Sequence, residues 1–438
     1  MLEKEFIFKG RFFINETNKI NGELHFIPES GLELFLMGTF HGFQERLTGV
    51  SENIIYGILE DGSEATLYNC TMIKHSFNAK ASYNETTFRI NIAFKGHFFN
   101  VDELHFSRFK FSLKNFDVWH GIKGIGFEQS EKDDFTIHYK RPKVIELKLK
   151  NTKIRFLNDY KSNSSNSGLS ISEFSNIEIS DAKGFDLDEV FEHLGKFKSF
   201  IALMTYQPTF LTKLYVYNEN VVHKTKYLKG KEKKIEVIWR DVSYYTSKKN
   251  LLPHEMLLTF NHIKNDAEKI IKNWYHYYEK ITPSFNLLFY SFRKSLIFTE
   301  EFFMDMARAI EVWHRRTIDS QRMMPDDFQK FVLKLTSNEL LEEDEKSLLD
   351  GLLQFANEPN LKQRLDDILR EYGFIFDFSD IQQERFIKNI VNSRHYYTHY
   401  DTNRKLKAKK DIDLFDLALQ LRALLIGAIL SKIGINQE

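Results

Sequence analysis

The sequence predicts an α+β chain with a β-rich N-terminal half, antiparallel and sandwich-like or a barrel, followed by an all-α helical bundle. Three observations predict it. Up to about residue 160, short runs of alternating apolar and polar residues are separated by Gly, Asn, Asp and Ser. Beyond Pro253 the apolar residues recur at helical spacing to the end. The change of pattern near Lys248 to Pro253 is abrupt, and 438 residues suffice for two or three domains with cores of their own. The expected division is 1–250 for the β-rich region and 251–438 for the helical one, with 161–168 as a candidate boundary between two β subdomains.

The strand runs are EFIFKGRFFI, GELHFIP, LELFLMGTF, TTFRINIAF, ELHFSRFKFSL, VIELKLKN and TKIRFL, rich in Phe, Ile and Leu. KSNSSNSG, Lys161 to Gly168, is polar and small, and is expected to be an exposed loop. LSISEF and NIEIS follow as strands. Leu187, Val190, Phe191, Leu194, Phe197, Ile201 and Met204 then trace one helix that must stop before Pro208. LTKLYVYN and KIEVIWRD return to strand character around a basic connection, His223 to Lys234. Helices are expected at 254–280, 283–293, 300–317, 325–336, 342–357, 361–372, 380–400 and 411–432. Pro or clustered carboxylates mark several first turns, where they favour the positive end of the helix dipole.

Lys plus Arg and Asp plus Glu are 61 each, so any attraction to nucleic acid or to a membrane must be local. The single Cys70 excludes an intramolecular disulfide and a cysteine zinc cage, and is in keeping with a reducing, cytoplasmic setting. The N-terminal MLEKEFIFKG lacks the continuous apolar core of a signal peptide. The apolar stretch from Leu414 to Ile435 is broken by Asp416, Gln420, Arg422 and Lys432, which points to a buried helix rather than a membrane span. GIKGIG, Gly121 to Gly126, lacks the third glycine and following helix of a phosphate loop and is expected to be a turn.

The chemistry concentrates in NSRHYYTHYDTNRKLKAKK. Arg394 and His399 have four residues between them, and Arg404, Lys405, Lys407, Lys409 and Lys410 follow. Spacing alone is weak, because about two such Arg–His matches are expected by chance in a chain of this composition. The other match is Arg308 with His314, on a helix whose Phe302, Phe303, Met306, Ile310 and Trp313 have the pattern of plain core. Arg394 differs. It occupies the position where the stripe Phe386, Ile387, Ile390, Val391 should continue, and a guanidinium there needs a partner, be it a carboxylate, an interface or an anion. On a straight helix His399 lies about 140° round from Arg394, while His395 and His399 share a face. Convergence of Arg394 with His399 therefore calls for the helix to end near His399 or for a second copy to pack across it. The bland alternative is a structural ion pair near a helix end beside a solvated basic loop.

With its Arg, four residues, His motif late in a helical bundle, ahead of a short polar loop and one last apolar helix, IVNSRHYYTHYD resembles the HEPN family of metal-independent ribonucleases and their inactive relatives. AIEVWHRR resembles the family's earlier helix, which often contributes an acidic residue, here Glu311. A HEPN domain behind a β-rich, Phe-rich region resembles the ApeA-like anti-phage proteins. The resemblance implies RNA as substrate, catalysis by Arg394 and His399, support from His395 and Glu311, RNA binding by the five basic residues, and no metal or cofactor. It further implies a homodimer or higher homo-oligomer through the HEPN domain, a phage-derived trigger sensed by the N-terminal half, and no membrane partner. Two departures stand out: His395 directly follows the arginine, where Asn or Asp is common, and Asp401 stands where antitoxin-paired members carry a tyrosine. The competing readings are a non-catalytic dimerisation or RNA-binding module, and a carbohydrate- or peptide-binding β region with a helical tail.

Overall fold

The computed structural model describes residues 2–42, 49–78, 83–131, 134–166, 168–223, 227–242, 250–290, 292, 298–337 and 341–435. The chain forms two compact units, Met1–Glu268 and Lys269–Glu438.

The first unit contains strands β1 (Phe6–Phe13), β2 (Ile20–Ile27), β3 (Gly31–Leu36), β4 (Ser51–Leu59), β5 (Glu64–Asn78), β6 (Tyr83–Lys95), β7 (His105–Leu113), β8 (Ile125–Glu131), β9 (Asp134–Tyr139), β10 (Ile145–Leu149), β11 (Thr152–Ser165), β12 (Gly168–Asp186), β13 (Leu211–Tyr217) and β14 (Ile235–Trp239). Its helices are α1 (Phe116–His120), α2 (Leu187–Thr205) and α3 (Phe260–Ile263). Twelve strands join in the order β10-β11-β12-β7-β13-β14-β6-β3-β2-β1-β4-β5, and β5 also pairs with β6. The last six strands thereby close into an antiparallel barrel, so the β-rich half takes the barrel form with an open sheet attached rather than a sandwich. Strand β6 makes both possible. One of its edges pairs with β5 along its length, while the other is shared by β3, at Thr86–Ile90, and β14, at Ile92–Lys95.

Alternation decides the core. Phe12, Phe26, Leu34, Ile55, Leu67, Phe88 and Phe94 are buried in the barrel strands. Gly57 gives Phe12 its room, because a Cβ there would meet the Phe12 ring at 2.7 Å. On the open sheet, Phe109, Phe111, Ile177, Ile179, Leu214 and Val216 are buried together with Val190, Leu194, Phe197 and Ile201 of α2, and Phe111 meets Phe197 ring to ring at 5.9 Å. A reciprocal capping box starts α2: Asp186 accepts from the Glu189 amide at 2.8 Å and Glu189 from the Asp186 amide at 2.9 Å.

Four expectations are corrected here. KSNSSNSG is not a loop between subdomains but the tip of the β11–β12 hairpin, with Ser165 opposite Gly168, so it joins two strands of one sheet. The segment 251–268 packs with the β unit, although its apolar spacing is helical: Phe260 lies 5.5 Å from Trp119 and 5.7 Å from Phe156, ring to ring. The third concerns Pro283, which does not start a helix. GIKGIG, expected as a turn, is instead an irregular connection from α1 that becomes strand β8 at Ile125, and within it the Gly124 amide donates to both carboxylate oxygens of Glu173 at 2.9 Å. Residues 224–226 of the basic connection lie outside the described residues, as do 248 and 249 at the expected boundary.

The second unit comprises α4 (Ala267–Tyr290), α5 (Thr299–Thr317), α6 (Pro325–Thr336), α7 (Glu343–Leu353), α8 (Leu361–Tyr372), α9 (Asp380–His399) and α10 (Asp411–Lys432). Pro283 lies inside α4. Proline removes one amide donor, and the Glu279 carbonyl it would have served accepts instead from Arg316 Nη1 of α5 at 3.2 Å, so the helix continues. By length and composition α10 could cross a membrane. Its Leu414, Leu417, Ala418, Leu421, Leu424, Leu425, Ala428 and Ile429 are buried within the unit. Of Arg308 and His314, only His314 is part of the packing of α5. Arg308 faces Asp305 at 3.6 Å, and His314, 1% exposed, is held between Asp367 at 3.0 Å and Arg364 at 3.2 Å.

Two expectations follow for the first unit. A fragment 1–268 keeps Phe260 on Trp119, whereas 1–250 uncovers that cluster; its urea-unfolding free energy is expected to be lower by about 3 kcal/mol or more, the usual cost of deleting a buried phenylalanine. The second concerns His120, which is 3% exposed and whose pKa burial pushes down to about 4. A depressed imidazole pKa means that the unfolded chain binds the proton more readily, so this contribution to stability is intact above about pH 6.5 and is lost as pH falls towards about 4. His120→Phe is expected to lose less stability than wild type between pH 7 and pH 4.5, by about 2 kcal/mol, in urea titrations at the two pH values.

Candidate functional site

Helix α9 begins at a capping box in which the Gln382 side chain accepts from the Ser379 amide at 2.8 Å and the Gln382 amide donates to the Ser379 hydroxyl at 3.4 Å. Phe386, Ile387 and Ile390 then turn inward and are buried. Arg394 continues that stripe with its side chain 23% exposed, and the carboxylate that meets it is Glu311 of α5, Nε to Oε1, at 3.2 Å. Burial of the neighbouring Ile310 and Trp313 holds Glu311 at the rim of the core. A second partner completes the grip: Nη1 of Arg394 donates to the Thr398 hydroxyl, which donates in turn to the Arg394 carbonyl at 2.6 Å.

His399 is exposed on a different face, its ring 5.0 Å from that of His395. The helix stays regular through His399 and stops at Tyr400, which adopts a left-handed conformation (φ 50°) and donates its amide to the Tyr396 carbonyl at 2.6 Å. That turn reverses the chain and brings Asp401 back, so that its Oδ2 lies 3.5 Å from His395 Nε2. The other oxygen, Oδ1, accepts from the Asn403 amide at 3.0 Å. Within one chain, therefore, Arg394 joins Glu311 and Thr398, while His399 joins His395 and, through it, Asp401.

The basic run divides by role. Arg404 donates to the buried Asn392 side chain at 2.9 Å. The Lys409 amide donates to the buried Ser393 hydroxyl at 2.9 Å, its carbonyl accepts from the Tyr397 hydroxyl at 3.0 Å, and its ammonium pairs with Asp413 at 3.0 Å. These bonds strap the run onto α9 and explain two polar residues on a buried helix face. Burial pushes the Tyr397 phenol up to about 12, in keeping with a structural donor. Lys405, Lys407 and Lys410 remain exposed. A cleft of about 530 Å³ adjoins the site, lined by Tyr290, Glu300, Glu301, Asp305, Tyr397 and Tyr400 among others. Its three carboxylates outweigh Arg308, which also lines it and pairs with Asp305, so the cleft disfavours a phosphate backbone compared with the side bearing the exposed lysines.

Sequence reasoning missed Thr398 and Asp401. A threonine four residues after an arginine on a helix is a legible neighbour. Asp401 was not, because its return depends on a left-handed tyrosine, a conformation that no sequence signal at Tyr400 announces.

Residues 7–274 match the family described as ApeA N-terminal domain 1, and residues 304–438 match the Apea-like HEPN family. No curated protein and no solved structure matches the chain. HEPN domains are generally associated with ribonuclease activity, and they commonly dimerise and act on RNA. With the first match covering more than half of its length, the chain belongs to the ApeA family of anti-phage proteins and carries an ApeA-like HEPN domain.

Proposed function

We propose that this protein is a metal-independent endoribonuclease of HEPN type, acting in anti-phage defence by abortive infection, with Arg394 and His399 as its catalytic pair. The observation that carries the reading is the division of labour on one helix. Arg394 is anchored by Glu311 and Thr398 with part of its guanidinium open, and His399 is exposed one turn further on. An imidazole exchanges protons near neutral pH, whereas a guanidinium stays charged and binds phosphate oxygens in a fork. His399 takes the proton of the ribose 2′-hydroxyl, its oxygen attacks phosphorus, the bond to the 5′-oxygen breaks, and Arg394 stabilises the charge that builds on the phosphoryl oxygens. The products are a 2′,3′-cyclic phosphate and a 5′-hydroxyl. DNA, without the 2′-hydroxyl, is not a substrate.

Because Arg394 and His399 engage different neighbours within a chain, the reading places the working cleft between two copies, each completing the other. Lys405, Lys407 and Lys410 then hold the RNA backbone, and the β-rich unit keeps the nuclease silent until it senses a phage-derived trigger. One observation favours the alternative of a non-catalytic dimerisation or RNA-binding module: Arg394 is already bonded within the chain, as a purely structural arginine would be.

The two readings separate in bacteria expressing the wild type, Arg394→Ala or His399→Ala, with and without phage. Total RNA carrying new 2′,3′-cyclic phosphate ends is expected from the wild type alone, with both variants reduced about a hundredfold or more. Intact RNA in every sample, from soluble protein, would favour the binding module. A third variant, Glu311→Ala, is expected to lower the stability of the helical unit by about 1 kcal/mol, allowing for the partial exposure of the pair. It is also expected to slow cleavage about tenfold by releasing Arg394, a loss read in kcat rather than KM.

A further inference from the structure

Cleavage by a 2′-hydroxyl moves two protons: one leaves the nucleophile and one must reach the departing 5′-oxygen. Arg394 supplies neither, since a guanidinium does not give up its proton near neutral pH. In a cleft between two copies the second proton has two possible sources: His399 of the other copy, or another histidine of the same chain. The chain offers such a histidine in contact with its own His399. His395 lies one helical turn before His399 on the same face, with rings 5.0 Å apart, and its side chain is 40% exposed and so reachable by substrate. Its Nε2 faces Asp401 Oδ2 at 3.5 Å, while Asp401 Oδ1 is pinned by the Asn403 amide at 3.0 Å, so the carboxylate is fixed by the turn that the left-handed Tyr400 creates.

We propose that His395 is the proton donor of the reaction and that Asp401 is the positioning residue that prepares it, a deepening that rests on the ribonuclease reading above. With Nε2–H directed at the carboxylate, Nδ1–H is the proton that remains to be given away, and after transfer Asp401 holds the neutral ring in its Nε2–H tautomer. The step balances within the site. The 2′-oxygen forms its bond to phosphorus as its proton passes to His399; the phosphorus–5′-oxygen bond breaks as the 5′-oxygen takes the Nδ1 proton of His395. His399 ends protonated and His395 neutral, and exchange with water resets both. His395 thus has a chemical role instead of merely occupying the position after the arginine, and Asp401 has one where antitoxin-paired HEPN proteins carry a tyrosine.

A bridging sulfur tests the assignment, because a thiolate leaves without a proton. The full chain, alone and with extract of phage-infected bacteria, is assayed on an oligoribonucleotide with one ordinary 5′-oxygen linkage and on its twin with sulfur in that place, with His399→Ala plus extract as the baseline. His395→Ala is expected to lose about a hundredfold on the oxygen linkage and to stay within about threefold of wild type on the sulfur one. Asp401→Asn should show the same selectivity more weakly, about tenfold against no loss. His399→Ala should fail on both. Equal losses on the two linkages in His395→Ala or Asp401→Asn would overturn the proposal, as would wild-type rates on the oxygen linkage. Absence of cleavage of either substrate by the wild type would instead remove the ribonuclease reading itself.

Discussion

The ion pair between Arg394 and Glu311 is the constraint on which the helical site depends. A guanidinium on a core-facing stripe is tolerated only when a carboxylate compensates its lost hydration, and Glu311 is available only because Ile310 and Trp313 lock α5 against its neighbours. Once Arg394 is fixed toward α5, helical geometry sends the residue five positions later round to solvent. The exposure of His399 is thus a consequence of the burial of Arg394. The pairs Asn392–Arg404 and Ser393–Lys409 extend the same logic, tying the basic run to the buried face and leaving three lysines free to reach outward.

That arrangement also explains the order of events on α9. Four polar side chains in succession, Asn392 to His395, would be a poor continuation of an amphipathic helix if packing were their only duty. Each instead has a specific partner, and the partners come from three directions: the basic run, α5 and the turn at Tyr400. A segment whose local propensity disagrees with its surroundings, and whose every conflict is resolved by a named bond, has the pattern expected of a functional site.

How far the sequence could be read depended on the range of the interaction. Helix starts set by proline and carboxylates at Pro325, and by the Asn360 cap at Leu361, lie where the sequence puts them, because capping is local. The barrel was legible only as β-rich, since closure depends on β5 meeting β6 and on β6 sharing an edge between β3 and β14, pairings that alternation does not encode. Pro283 misled because the compensating donor, Arg316, is 33 residues away. In the site, Arg394 was legible through its stripe position and Glu311 through the family resemblance of its helix, whereas Asp401 was hidden behind a backbone conformation.

The two units answer different problems with similar means. In the β unit the open sheet ends at β10, and an unpaired strand edge invites association with another chain. One donor of that edge, the Lys148 amide, is taken by the Glu268 carboxylate at 3.2 Å, within the β unit itself. The helical unit, by contrast, leaves His395, His399 and three lysines uncovered. Under the ribonuclease reading, control falls on bringing two such surfaces together, since Arg394 and His399 engage different neighbours within a single copy.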